Sequence, residues 1–352
     1  CGGIGTSVLY WGTIEWAYYY QEPPYGLKEG SSEALLWSIS YPLFHWGFLG
    51  WGFYCLPGIA AGLAFYKGGA KSLRLSEACA PVIGRLSQGL LGRVIDFLYL
   101  VGLIGAVSTG LGLAVPLLAE LVAQLFYLQR DQIGFVLDVV VIMVISLVFC
   151  ASVWVGLEKG VKRLSNLNVY FAFFLLAFVF LFGPTLFILE MGISSFGHLV
   201  QNFIKMSTWL DPMQKSDFVE SWTVFYWAWW VALGPDMGIF IARISKGRTL
   251  KQIILGCLIY GTLGCTLFFM VFGNYSVYLE LNGITSVIST LNEDGAPMAI
   301  VRVLESLPLA KLTLIAFTLL CVIFAATSFD SASYTLAMVA TKELGPDEHP
   351  AK

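Results

Sequence analysis

Residues 222–230 read Trp222-Thr223-Val224-Phe225-Tyr226-Trp227-Ala228-Trp229-Trp230 and hold four of the chain's 11 tryptophans. The face of an indole ring carries negative potential and attracts quaternary ammonium groups, at about 2 kcal/mol or more per contact when the site is dry. A trimethylammonium group cannot donate a hydrogen bond, so an aromatic box suits it better than carboxylates alone. His45-Trp46, Trp51 and Tyr54 supply a second aromatic group. On a regular helix Trp46, Trp51 and Tyr54 fall within an arc of about 140°. Tyr18, Tyr19 and Tyr20 form a third. An interfacial aromatic belt accounts for the tyrosine run. It accounts poorly for Trp229 and Trp230, which lie well inside an apolar run.

Three carboxylates, Glu15, Asp236 and Asp330, also interrupt apolar runs. Such groups are costly in hydrocarbon and mark function by default. Asp236 follows Gly234-Pro235. It can attract an ammonium group, bind a cation, carry a proton, or bond backbone amides exposed by a helix break. Thr327 and Ser328 are adjacent hydroxyls, the kind of oxygen ligand a hard cation takes. The plainer reading is that they bond their own helix carbonyls. Histidines are confined to His45, His198 and His349, and no metal cluster, nucleophile elbow or phosphate loop is present. The chain is therefore not read as an enzyme and has no catalytic residues. Its seven cysteines contain no C-x-x-C pair and read as small hydrophobes.

The elements that must hold these residues are membrane spans. Hydrophobic residues make up 57% of the 352 positions, charged residues 12%, and mean hydropathy is +0.76. A soluble domain has about 25% charged residues. Eight spans are predicted, at residues 1–20, 34–66, 97–127, 132–157, 164–190, 219–242, 252–279 and 306–341. Each reaches the roughly 18–20 residues that a helix needs to cross hydrocarbon. Helices satisfy their own backbone in lipid, and the runs are too long for barrel strands. Most of the 20 Lys and Arg residues fall in loops 67–95, 158–163 and 243–251 and beyond 342, which the positive-inside rule makes cytoplasmic. Residues 191–218 read as an external amphipathic segment. No basic cluster argues for nucleic acid. Cys1-Gly2-Gly3-Ile4-Gly5 and Gly234-Pro235 predict helix interruptions in the first and sixth spans. Paired interruptions in two halves of a repeat point to a transporter site, although small residues also serve close helix packing.

Trp222 to Trp230, followed by Ile241-Ala-Arg-Ile-Ser-Lys-Gly-Arg-Thr249, resembles the signature of the betaine/carnitine/choline transporter family. Tyr10-Trp-Gly-Thr-Ile-Glu15, Phe44-His-Trp46, Gly156-Leu-Glu-Lys-Gly160 and Ser333-Tyr-Thr-Leu-Ala-Met338 match it too. The resemblance covers essentially the whole chain. It implies an all-α integral membrane protein with the five-plus-five inverted repeat shared with the bacterial leucine transporter. Family members have twelve spans, so the chain is identified as a fragment holding family helices 3 to 10. Residues 1–190 would form the first repeat, 191–218 the external connection and 219–352 part of the second repeat.

The implied activity is secondary transport of a small zwitterionic trimethylammonium compound, of glycine betaine or carnitine type, across the plasma membrane. Sodium-independent carnitine exchange, choline transport and a non-transporting membrane sensor are the alternatives. By resemblance Trp46, Trp51, Tyr54, Trp229 and Trp230 line the substrate site, and Tyr18 and Met237 match the carnitine exchangers. Leu233 departs from the aromatic residue of relatives. Ser7 stands where glycine favours betaine and aspartate accompanies choline. Thr327 and Ser328 match the hydroxyl pair of sodium-coupled members, completed by backbone carbonyls at positions matching Cys1, Ile4 and Phe324. Asn168 stands where exchangers place an arginine that substitutes for the ion. The expectation is therefore sodium as the coupling ion and no other cofactor. Glu15, Asp236, Asn168 and Asp330 are the gating or coupling candidates. Relatives form trimers, which makes a homotrimer the implied assembly within the lipid bilayer.

Overall fold

A computed structural model describes residues 5–68, 74–155 and 162–340. The described residues are helical, with no strand among them. The helices that position the site are α1 (Gly5–Gln21), α2 (Ser32–His45), α3 (Phe48–Tyr66), α4 (Leu90–Phe126), α5 (Arg130–Val155), α6 (Lys162–Phe182) and α7 (Thr185–Thr208). They continue with α8 (Val219–Ile244), α9 (Leu250–Leu281), α10 (Val287–Glu293), α11 (Ala296–Glu305) and α12 (Ala310–Ala340).

Seven segments are long and apolar enough to cross a membrane: Ser32–Tyr66, Leu90–Phe126, Arg130–Ser152, Arg163–Phe182, Val219–Ile244, Leu250–Leu281 and Ala310–Asp330. They coincide with the second to eighth predicted spans. The first appears as α1, whose 17 described residues are buried almost throughout. It is walled by α2, α4, α9 and α12. A helix buried on every face belongs to a bundle core rather than to the lipid boundary. By contrast α5 and α6 leave many large apolar side chains exposed, among them Phe135, Leu147, Tyr170 and Phe174. This is the distribution of a protein whose solvent is hydrocarbon.

Two predicted interruptions meet different outcomes. Residues 1–4 lie outside the described residues, and α1 is regular from Gly5. At Gly234-Pro235 the expected break is absent, and α8 runs unbroken through both residues. A proline removes one backbone bond, which neighbouring helices let a membrane helix tolerate. The glycines serve packing instead. A Cβ at Gly234 would lie 3.2 Å from the Phe53 carbonyl oxygen, and one at Gly238 would lie 2.5 Å from Pro57 Cβ. Small residues four apart thus let α8 lie against α3.

Irregular backbone occurs elsewhere. Span 34–66 is predicted as one helix, but α2 ends at His45 with Trp46 as its C-cap, and α3 starts after Gly47, whose ψ of −140° is non-helical. Wider turns of π type occupy Val219–Val224 in α8 and Gly256–Gly261 and Phe269–Gly273 in α9. Each adds one residue to a turn. The predicted connection at 191–218 begins earlier than expected. α6 stops at Phe182, Gly183 and Pro184 follow, and the amphipathic α7 lies against α2.

Candidate functional site

The aromatic box assembles where α2 breaks. Trp46, Tyr54 and Trp230 are fully buried and Trp229 nearly so. The Trp46 ring stands edge-on to Trp229 at 5.7 Å and to Trp230 at 5.5 Å. Trp229 and Trp230 stack at 5.9 Å. Tyr54 meets Trp230 at 5.0 Å, and Trp51 meets Tyr54 at 5.7 Å. In α8, Trp229, Trp230, Leu233, Asp236 and Met237 are all buried, and at 100° per residue they share one face. The arc drawn for Trp46, Trp51 and Tyr54 assumed a continuous helix and does not apply across Gly47. Contact with Trp230 gathers Trp46 and Tyr54 instead.

Two indole N–H groups are tied down. Trp230 Nε1 donates to the His45 carbonyl oxygen at 3.0 Å, capping one of the last carbonyls of α2. Trp46 Nε1 donates to Glu15 Oε2 at 2.9 Å. Trp229 Nε1 and the Tyr54 hydroxyl are buried without a partner among the described residues. In this conformation the rings fill the space between one another.

Behind the box lies a buried polar network. Glu15 accepts from the Tyr19 hydroxyl at 2.6 Å and the Tyr226 hydroxyl at 2.6 Å, besides Trp46. His45 Nδ1 lies 3.0 Å from the Tyr19 hydroxyl, and its Nε2 lies 3.1 Å from Thr223 Oγ1. Side chains of α1, α2 and α8 thus share one carboxylate. Glu15 braces the box through Trp46 and Tyr226.

Other candidates fall into separate places. Tyr18 packs between Trp11 at 5.9 Å and Trp222 at 5.4 Å, making an aromatic group apart from Trp46. Met237 is buried on the box face of α8. Thr327 and Ser328 part company, because successive residues on a helix point about 100° apart. Thr327 Oγ1 donates to the carbonyls of Ile323 at 3.0 Å and Phe324 at 3.1 Å, and it receives Asn168 Nδ2 at 3.2 Å. Ser328 faces a cavity on the other side of α12. Asp330 accepts from Ser152 of α5. Of the expected carbonyl ligands, Phe324 stands beside the start of α1, while Cys1 and Ile4 lie outside the described residues.

Sequence reasoning missed three participants. Phe269 packs on Trp46 at 5.4 Å from within a π turn. Tyr99 donates to Asp236 Oδ1 at 3.3 Å. Gly261 makes room for the Trp51 ring. Only Tyr99 left a readable signal, since a tyrosine hydroxyl inside an apolar run needs a partner. A Cβ at Gly261 would lie 2.2 Å from Trp51 Cδ2. Gly261→Ala is expected to displace that ring and to cost about 1–3 kcal/mol through overpacking. The checks are the tryptophan emission spectrum and the detergent melting temperature. Unchanged values for both would mean that the ring has room to spare.

The family described as BCCT, betaine/carnitine/choline family transporter, matches residues 1–352. The "Carnitine transporter" of Acinetobacter baumannii is 36% identical over 349 residues, covering 99% of this chain and 63% of that protein. The Escherichia coli K12 protein named "Uncharacterized transporter YeaV" is 36% identical over 350 residues, covering 99% of this chain and 72% of that protein. The chain thus spans about two thirds of the length of these relatives.

Proposed function

This chain belongs to the betaine/carnitine/choline transporter family, and from that membership we propose that it moves a trimethylammonium compound by sodium-coupled secondary transport. Glycine betaine or carnitine is the leading cargo. The observation that carries this reading is the interior cluster of Trp46, Tyr54, Trp229 and Trp230, held off the lipid at 6% exposure or less. Four aromatic side chains from α2, α3 and α8 meet there in edge-on and stacked contacts. Desolvated π faces are the chemistry that favours a methylated cation over a hydrogen-bonding one. Because the rings close on one another, cargo entry requires α8 and the α2–α3 break to separate. Rocking of one helix bundle against the other within the plasma membrane would supply that motion and alternate access to the site. Loops 67–95, 158–163 and 243–251 would face the cytoplasm.

Sodium-independent carnitine exchange is the second reading. Its support is the Thr327 hydroxyl, which is already bonded to its own helix carbonyls. Uptake into proteoliposomes separates the two. Symport predicts that an inward sodium gradient drives accumulation of labelled betaine or carnitine, and that replacing sodium by potassium abolishes it. Exchange predicts sodium-indifferent uptake that requires internal substrate. Failure of betaine, carnitine, butyrobetaine and choline to quench tryptophan fluorescence or to accumulate would reject both.

A further inference from the structure

The cavity that Ser328 faces lies where α1, α4, α8 and α12 meet. Its polar lining is Thr6 and Ser7 from α1, Asp236 from α8 and Ser328 from α12, and Leu233 of α8 is part of its apolar lining. Asp236 is 4% exposed and Ser7 2%. The partners of Asp236 are neutral hydroxyls, Tyr99 at 3.3 Å and Thr335. No ion pair joins it to a lysine, arginine or histidine among the described residues. A buried carboxylate without a counter-charge is costly unless it takes up a proton or a cation. The expected alternative, bonding to amides exposed at a helix break, is closed because α8 is continuous here.

The chemistry of the space chooses the cation. Its polar wall offers hydroxyl oxygens and a carboxylate, which are hard ligands. A quaternary ammonium would leave those hydroxyls unpaired, whereas a small alkali cation takes them as ligands. The geometry points to a sodium site formed by Asp236 with Ser7 and Ser328, and Thr6 at its edge. The coupling ion would then be held by an anionic side chain facing Ser328, not by the Thr327–Ser328 pair acting together.

This inference rests on the sodium-coupled reading above, and its test contains no cargo, so that the two can fail separately. Sodium chloride is titrated against purified protein at constant ionic strength, balanced with N-methyl-D-glucamine chloride, and thermal unfolding is followed. Wild type is expected to be stabilised with a saturable sodium midpoint. Asp236→Asn should raise that midpoint by at least about tenfold, which is 1.4 kcal/mol of binding. Ser328→Ala should raise it less, and Asp236→Glu should recover part of it. Melting of each variant without sodium reports whether it is folded. Three results would overturn the inference: an unchanged midpoint in a folded Asp236→Asn, equal stabilisation by N-methyl-D-glucamine, or no sodium response in wild type. If sodium-driven uptake persists while the Asp236→Asn midpoint is unchanged, the proposed function stands and this site does not.

Discussion

Glu15→Ala is expected to be among the most damaging single substitutions in the bundle. It leaves the hydroxyls of Tyr19 and Tyr226 and the indole N–H of Trp46 without their acceptor. All three donors are buried, and of them Tyr19 has His45 Nδ1 as a second partner at 3.0 Å. Each lost partner costs about 1–3 kcal/mol, so several kcal/mol of stability should go at once. Box geometry should go with it, because Trp46 is oriented through that bond. Glu15→Gln keeps one acceptor oxygen and should fall between alanine and wild type. Melting in detergent, together with the emission spectrum, measures both effects. An alanine variant that melts within a degree or two of wild type would mean that the donors find other partners and that the network bears little weight.

Trp230 carries the second large expectation. Trp230→Ala removes a fully buried indole, a change that costs about 3–5 kcal/mol in a packed core. It also uncovers the His45 carbonyl at the end of α2. If the box holds a methylated cation, the same substitution should weaken binding by about thirtyfold, taking about 2 kcal/mol for one dry aromatic wall. Trp230→Phe separates the two roles. It keeps a π face but cannot donate to His45, so it should lose stability while retaining most of the affinity. Equal affinity loss in both variants would assign the effect to the α2 terminus rather than to the ring face.

Much of this architecture was legible in the residues. Long uncharged runs located the spans, because hydrocarbon admits few charges and demands helical backbone. Trp229 and Trp230 were placed in the interior for the same reason, and both are buried. What the residues hid was the backbone between them. Gly234-Pro235 looks like a break, yet proline in a membrane helix loses one bond and no more, and the glycines there fit α8 against α3. The actual interruption, at Trp46-Gly47, lies inside a run with no charge to mark it. The pairing of Thr327 with Ser328 misled in another way. Adjacency in sequence is divergence on a helix, so one hydroxyl meets Asn168 and the other meets the cavity. Tyr99 and Asp236 are 137 positions apart, and no local pattern joins them.

The burial of α1 on every side bears on how the chain is made. α1 leaves the ribosome before α8, α9 and α12, so Glu15, Thr6, Ser7 and Thr13 reach the bilayer ahead of most of the groups that will enclose them. An acidic side chain at mid-membrane costs about 2.5–3.5 kcal/mol on the insertion scale. Nascent α1 bears that cost until the later helices enclose it. The polar groups of α1 gain their enclosure from helices that follow it in the chain.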